Sequence, residues 1–398
     1  MKKRILIISQ NFPPEIGSAA NRMKGICQCL NEVADVTVWT TEPHYPYKQL
    51  YQQTDFLEGA PEGVTIKRIK TKSVRFEKNI LRRFLLYLEV LFRFIKLILT
   101  ESETYDVVFV TSPPLSVPFI GLLAKRKFKA EFVVDIRDLW PETLSAIKGI
   151  FPKILRTLGY LIEKRIYHQA DKLIVNSEGF ITYIQGIVGD SKKIHFLPNG
   201  LTNSELEQVP VPKESDKITI VYTGNMGIAQ DIESLFHLAE NFQSDKNVQF
   251  LLIGYGKYYA EIQQEIKNSG LKNVIIKPPE SRRKVWKRLR SADIAYVGLK
   301  EHAIFKTVMP GKLIDYMGAS LPIIGVTSGY SKQIIEKAEA GLVFNKNEQQ
   351  EINKELSKLI NNRDLRRYYG ENGNNFARRH FNWQTNKTLL YKIIFEEE

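Results

Sequence analysis

Cysteine is almost missing from this chain. Cys27 and Cys29 are the two among 398 residues, and on a helix they do not face each other. A disulfide scaffold is excluded, and a reducing compartment is the expectation. Long apolar runs free of charge are also missing, so no segment is expected to span a bilayer. The opening MKKRILIISQNFPP has too short an apolar run for a signal peptide and lacks a cleavage-like pattern; it reads as a first β-strand. Neither GxGxxG nor a Walker A loop occurs, which disfavours a dinucleotide site and a P-loop. No convincing DxD pair ends a strand and no His or Cys spacing suits a ligand set, so no metal is expected. Acidic charge is in deficit: 44 Asp and Glu face 57 Lys and Arg, a formal +13. Such a surplus suits nucleic acid, an anionic membrane or a phosphorylated substrate.

What is present describes a folded protein. Hydrophobic residues make up 43% and aromatics 11%, which excludes wholesale disorder. The length suits about two domains. Short β-branched or aromatic runs alternate with longer helix-period stretches. Strands are expected at 4–9, 36–40, 64–69, 107–111, 132–136, 173–176 and 194–197. A second series follows at 218–223, 248–253, 273–277, 293–297, 322–326 and 342–344. This alternation predicts βαβ units and parallel sheets. A polar, proline-containing linker at 198–217 separates two doubly wound α/β domains. The boundaries read as 1–200 and 201–375, with a helical segment at 376–398. Ligands of such domains lie at the carboxyl ends of the strands.

The first of these loops runs Asn11-Phe12-Pro13-Pro14-Glu15-Ile16-Gly17-Ser18. Prolines stop the strand, Gly17 permits close backbone approach, and Ser18 can cap the next helix. A helix start with small residues suits an anion; a plain strand-to-helix turn is the other reading.

Seven motifs, in order along nearly the whole chain, resemble those of glycosyltransferase family 4. The first loop, ending in Arg22, resembles its FPP-x-x-GG-x-x-x-R opening. Thr41-Glu42-Pro43-His44-Tyr45-Pro46 resembles T-x-PNYP, and Arg137-Asp138-Leu139-Trp140-Pro141-Glu142 matches RDLWPE. Leu197-Pro198-Asn199-Gly200 resembles a PNG hinge. Tyr222-Thr223-Gly224-Asn225-Met226-Gly227 resembles YTGN-x-G, and Leu252-Ile253-Gly254-Tyr255-Gly256 resembles LVGDG. Met309-Pro310-Gly311-Lys312-Leu313-Ile314-Asp315-Tyr316-Met317 resembles PSKLF-[DE]-YM. The subgroup most similar is the fucosamine-type amino-sugar transferases of bacterial capsule and O-antigen biosynthesis. The resemblance implies a GT-B fold: two Rossmann-like domains facing across a cleft, with the C-terminal helix crossing back to the first. It implies a retaining, metal-independent hexosyl or N-acetylhexosaminyl transferase using a UDP-sugar as substrate, with no cofactor. The second domain would bind the donor and the first the acceptor.

On the donor side the resemblance points to Gly17, Ser18, Gly224, Asn225, Gly254, Tyr255, Lys312, Leu313 and Asp315. On the acceptor side it points to Glu15, Arg22, His44 and Trp140. Three departures from the family pattern matter. Many relatives carry G-R-x₄-K-G in the first loop of the second domain; Asn225 and Gln230 stand where its Arg and Lys would be. Lys312 is the replacement candidate for steadying a diphosphate, with Lys306 and Arg22 behind it. The E-x₇-E motif keeps its second carboxylate as Asp315, suited to ribose hydroxyls, but has Thr307 in place of the first; Met309 and Pro310 would shape that pocket. Arg137 replaces a catalytic His and cannot act as a base at neutral pH. The catalytic set is then Asp138, Arg137 and Glu142. Asp138 is either the base, a positioning group beside a leaving phosphate that takes the proton itself, or a helix cap. Trp140 packs or stacks on a sugar. His302 is a further candidate for a sugar contact.

Residues 80–99 form a basic amphipathic pattern. Arg82, Glu89, Arg93 and Lys96 fall within about 60° on a helical wheel, with apolar residues around the remainder. Arg82, Arg83, Phe84, Arg93 and Lys96 would contact an anionic membrane surface; a domain helix with one wet stripe is the competing reading. Residues 1–200 hold 29 Lys and Arg against 20 Asp and Glu, and residues 201–398 hold 28 against 24. The surplus thus lies mainly in the acceptor half. The expected function is transfer of a sugar to a lipid-diphosphate-linked (polyprenyl-diphosphate) saccharide, in the cytoplasm, peripherally on the inner face of the membrane. A GT-B-like UDP-sugar epimerase is the alternative. Charge alone suggests a nucleic-acid-binding protein, but no module supports it, and nucleic acid is not an expected partner.

Overall fold

A computed structural model describes residues 2–56, 59–71, 80–207, 212–213 and 215–396. The chain divides into two compact units: Met1–Pro198 with Asn386–Glu398, and Asn199–Thr385. Seven strands make the sheet of the first unit: β1 Arg4–Ile8, β2 Asp35–Thr41, β3 Thr65–Ile69, β4 Val107–Ser112, β5 Glu131–Ile136, β6 Lys172–Val175 and β7 Ile194–Phe196. Their order is β3-β2-β1-β4-β5-β6-β7, parallel throughout. Residues 5–8 of β1 and 107–110 of β4 pair in register, and all are wholly buried. Continuous apolar runs of this kind are what strands need when helices cover both faces. Sheet growth reverses direction between β1 and β4, the place where a doubly wound sheet opens a crevice for ligands.

The second unit repeats the plan with six strands: β8 Ile218–Asn225, β9 Val248–Tyr255, β10 Val274–Lys277, β11 Ile294–Gly298, β12 Ile323–Val326 and β13 Gly341–Phe344. Their order is β10-β9-β8-β11-β12-β13, again parallel, with the reversal between β8 and β11. All thirteen expected strands are present, with ends within two residues of those read from the sequence. Central strands were legible because they are uninterrupted β-branched and aromatic runs.

Helices Ile80–Thr100, Ser116–Phe128, Ile150–Gln169 and Ile181–Val188 each lead to a strand further along one direction. Right-handed crossovers place all four on one sheet face, and successive members pack together. The sequence suggests a membrane helix at 80–99; the structure packs much of its apolar surface instead. Leu86, Val90, Phe94 and Ile98, four apart, are buried. Arg93 pairs with Glu89 at 2.8 Å. Lys96 is exposed. The side chains of Arg82, Arg83 and Phe84 lie outside the described residues. This helix is therefore largely a wall of the first unit. Among the described residues no helix is long and apolar enough to cross a membrane.

Two expected boundaries shift. Residues 199–207 belong to the second unit: Leu201 is buried, and its N–H donates to Phe381 O at 2.7 Å. Residue 376 lies inside the helix Arg363–His380, because Ala377 and Phe381 are core residues of the second unit. The chain rejoins the first unit only within the helix Trp383–Phe395. There Asn386 Nδ2 donates to Pro198 O at 3.0 Å and Tyr391 OH to Cys29 O at 2.7 Å.

Candidate functional site

At the carboxyl end of the first sheet, Asp135 follows the apolar run Phe132-Val133-Val134 of its strand, and it is wholly buried. Arg22, on the helix Ser18–Asn31, reaches it with Nε 3.0 Å from both oxygens and Nη2 2.6 Å from Oδ1. Thr111 Oγ1 donates to Asp135 Oδ2 at 3.3 Å. The sequence offers Arg22 as a cation for phosphate or acceptor. The structure closes it in an ion pair with neither side chain exposed, so its role is to anchor the first loop's helix to β5.

Arg137 and Asp138 follow on the same strand end and are half-buried. Arg137 Nε donates to Thr111 Oγ1 at 2.6 Å and Nη2 to Pro113 O at 2.9 Å; neither bond uses Nη1. Burial lowers its pKa to about 10, against the pull of Asp135, so the guanidinium stays charged at neutral pH. Burial raises the Asp138 carboxyl above its ordinary range, while Thr143 Oγ1, donating to Oδ1 at 2.9 Å, opposes the rise. Glu142 opens the short turn Glu142–Ala146 and lies 3.5 Å from Arg156. Trp140 and Pro141 pack on Gly159, where an added Cβ would come 2.8 Å from Pro141 Cβ and 3.4 Å from Trp140 Cζ3. Packing is the part of the Trp140 reading that the geometry supports.

Glu15 and His44, expected on the acceptor side, are both buried. Glu15 Oε1 accepts from the backbone N–H of His44 at 2.7 Å and Tyr45 at 3.0 Å, and Oε2 accepts from Asn11 Nδ2 at 2.7 Å. Burial raises its pKa against the opposing pull of His44. The His44 ring lies between Glu42 O, 3.0 Å from Nδ1, and Gln10 Nε2, 3.4 Å from Nε2. Together they knit the loops after β1 and β2. Gly17, not Ser18, is the N-cap of its helix, and Ser18 is exposed as the first helical residue.

Behind the Asp138 loop lies a group that the sequence reading passed over. Glu163, on the helix Ile150–Gln169, is fully buried and accepts from Tyr183 OH at 2.9 Å. Burial pushes its pKa up to about 7, against the pull of Tyr183 and Tyr167. The folded state then holds a proton that the unfolded state has released. Stability supplied by this proton is complete below the ordinary glutamate range and is lost as pH rises towards 7. The loss is on the order of 3 kcal/mol. Glu163→Gln should flatten that part of the melting-temperature profile; a slope identical to wild type between about pH 5 and pH 8 would show that Glu163 does not cause it.

In the second unit the carboxyl ends of β8 and β9 are held close. An added Cβ at Gly254 would lie 2.2 Å from Gly224 O, and Gly224 itself has φ +108. Only glycine tolerates either position. Beside them stands Lys312, the second residue of the helix Gly311–Gly318. Its Nζ donates to Gln230 Oε1 at 2.8 Å and lies 3.6 Å from the Tyr222 ring centroid. A Cβ at Gly224 would be 3.9 Å from that nitrogen. Among the described residues no carboxylate pairs with Lys312, and burial drives its pKa well below the ordinary lysine range. Tyr222 OH donates to Asn225 O at 2.8 Å. The Asn225 side chain is exposed and lies beside Gly227 and Gly256; Tyr255 is half-buried. Gly224, Asn225 and Gly254 therefore come together around the Lys312 ammonium, which has no carboxylate partner among the described residues.

Five other residues expected on the donor side stand apart from this group. Asp315 is held by Arg282, Nη1 to Oδ2 at 3.0 Å and Nη2 to Oδ1 at 2.9 Å, and Arg282 Nε also donates to Glu205 Oε1 at 2.7 Å. Burial still raises the Asp315 pKa, and two of the roughly four lone-pair sites of its carboxylate are taken by Arg282. Leu313 is wholly buried in the core of the second unit, and its N–H donates to Pro310 O. Met309 is core as well. Lys306 is exposed, and His302 caps a turn by accepting from Ile304 N at 3.4 Å.

Comparison with known proteins fits this arrangement. Residues 17–200 match the family described as glycosyl transferase 4-like domain, and residues 203–376 match glycosyl transferases group 1. An uncharacterized glycosyltransferase of Methanocaldococcus jannaschii, MJ1069, is 23% identical over 73% of this chain and 75% of its own length. WaaG, a glycosyltransferase involved in lipopolysaccharide biosynthesis, superposes with a TM-score of 0.67 at 15% identity, over 98% of this chain and 100% of that one. Anabaena HepE in complex with UDP-glucose gives 0.70 at 14% identity, over 98% of each chain. These matches do not favour an epimerase. With a glycosyltransferase family matched by each half and two Rossmann-like parallel sheets beneath them, the chain is a GT-B glycosyltransferase.

Proposed function

We propose that the enzyme moves an N-acetylated amino sugar from a UDP-sugar to a lipid-diphosphate-linked saccharide, with retention of configuration, in capsule or O-antigen synthesis. The carrying observation is Lys312: a desolvated ammonium with no carboxylate partner among the described residues, beside glycine-lined strand ends. As the bond from the anomeric carbon to the UDP oxygen breaks, negative charge grows on the diphosphate. A fixed cation in a dry site is worth most at that moment. The acceptor hydroxyl oxygen bonds the anomeric carbon on the same face, and its proton passes to the departing phosphate oxygen. Asp138 and Arg137 then orient the acceptor. UDP is preferred because HepE was captured with UDP-glucose, and the lipid-linked acceptor because WaaG is involved in lipopolysaccharide biosynthesis. The same reading puts the enzyme at the inner face of the membrane.

A panel of UDP-, GDP- and dTDP-sugars in a thermal-shift assay tests the donor, since a ligand that binds the native state raises Tm by mass action. A UDP-N-acetylhexosamine should give the largest rise. That donor should then turn over with a polyprenyl-diphosphate saccharide, and Asp138→Asn should cut turnover while leaving UDP affinity alone. A larger shift from a GDP-sugar, or release of UDP without any glycosylated product, would refute the reading.

A further inference from the structure

We propose that the helix Ile150–Gln169 is the surface by which the first unit docks on an anionic lipid bilayer. The proposal rests on the lipid-linked acceptor reading and assigns the membrane contact to a different helix from the one the sequence singles out. Ile150, Ile154, Leu158 and Leu161 fall on one stripe of this helix and are 79%, 52%, 54% and 62% exposed. The opposite stripe, with Gly159, Glu163 and Ile166, is buried in the unit. One face already meets the core, so the second apolar face has no task inside the fold. A surface helix needs only one apolar stripe, and a contiguous exposed one marks an interaction site.

The exposed apolar surface is not scattered. Of fifteen exposed large apolar side chains among the described residues, eleven lie on three adjacent helices of one layer: Ile80–Thr100, Ser116–Phe128 and Ile150–Gln169. Phe92 and Phe119, on the neighbouring helices, are exposed as well.

Charge selects the occupant. Lys148, Lys153, Lys164 and Arg165 stand around the stripe, exposed, and none is paired with a carboxylate among the described residues. Apolar side chains flanked by lysine and arginine match an anionic headgroup layer over an acyl boundary. A second copy of the chain would bring the same positive charges together, because a two-fold interface is self-complementary.

The helix is also mechanically tied to the acceptor loop. Gly159 lies against Trp140 and Pro141, and Arg156 is 3.5 Å from Glu142. A bilayer under this helix would therefore sit next to the loop that carries Arg137 and Asp138, where a lipid-anchored diphosphate sugar would arrive.

Flotation of the full chain with phosphatidylcholine vesicles, and with phosphatidylcholine–phosphatidylglycerol vesicles, tests this. Wild type should float with the anionic vesicles. Ile154→Asp/Leu158→Asp/Leu161→Asp should weaken binding by roughly hundredfold, and Lys153→Glu/Lys164→Glu by roughly tenfold or more. UDP affinity, measured by calorimetry, should not change in either variant, and an unchanged melting transition of the first unit reports that the unit carrying the substitutions is folded. Flotation of the triple-Asp variant equal to wild type would overturn the proposal. So would absence of wild-type flotation, or a concentration-dependent dimer that the same substitutions abolish. A wild type that floats but binds no UDP-sugar would instead refute the donor reading and leave the docking face standing.

Discussion

Lys312→Ala should leave the fold intact and remove most of the grip on UDP. We expect affinity for UDP to fall by roughly ten- to a hundredfold and transfer to fall by roughly a hundred- to a thousandfold. The larger effect on transfer follows from timing: the diphosphate gains charge as the sugar leaves, so the lost cation matters most in the transition state. Stability should not suffer. Among the described residues the ammonium has the Gln230 carbonyl oxygen and the Tyr222 ring as partners and no carboxylate, and removing an uncompensated buried charge relieves a cost. Lys312→Arg should recover only part of the activity, since a planar guanidinium does not fit the place of a compact ammonium between ring and amide. A second readout separates this role from a packing role. In the free protein burial holds the Lys312 pKa well below the ordinary range. A bound diphosphate would raise it, so UDP binding should take up a proton above the free pKa and weaken as pH rises. Calorimetry in two buffers of different ionisation heat would detect that uptake in wild type and its loss in Lys312→Ala. Equal affinity, turnover and proton uptake in both proteins would remove Lys312 from the site.

The parts of the molecule that could be read from the sequence are those that depend on neighbours along the chain. Strand β1 is a run of Ile and Leu; β4 is a run of valines and a phenylalanine; each announces a strand buried on both faces. The loops that follow them, and Lys312 at a helix start, could be located in the same way. Pairings over long separations could not. Arg22 looks like an available cation until Asp135, 113 residues away, is seen to hold it. Asp315 looks like an unpaired carboxylate until Arg282 is seen across it. The charge that follows the apolar run Phe132-Val133-Val134 of β5 was the one local sign that Asp135 needed a partner. Helix periodicity has a similar limit. It reports where apolar stripes lie but not which of them the fold covers. The helix Ile80–Thr100 has the stronger basic-amphipathic pattern and buries its stripe, whereas Ile150–Gln169 has apolar residues on two faces and covers one. The surplus of positive charge in the first half thus stays near a lipid-facing reading but changes helix.

The buried Arg22–Asp135 pair gives the largest effect expected on the fold itself. Neither side chain has exposed surface, and three contacts at 2.6–3.0 Å join them. Asp135→Ala leaves a buried guanidinium without its carboxylate, and should cost about 3–5 kcal/mol. For a unit of this size that corresponds to a fall in Tm of roughly 10 °C. The loss should appear in the transition of the first unit, while UDP affinity at Lys312 in the second remains. Transfer should collapse as well, because Asp135 shares Thr111 with Arg137: Thr111 Oγ1 donates to Asp135 and accepts from Arg137 Nε at 2.6 Å. Arg22→Met/Asp135→Leu separates the two consequences. Replacing both charges with apolar groups of similar size removes the unpaired ion, so most of the stability should return. Transfer should not return in step with it, since Thr111 no longer has a carboxylate to orient it and Arg137 keeps only its bond to Pro113 O of the two that fix it. A double variant that regains both stability and full transfer would mean that the pair serves the fold alone, and that Arg137 is held without it.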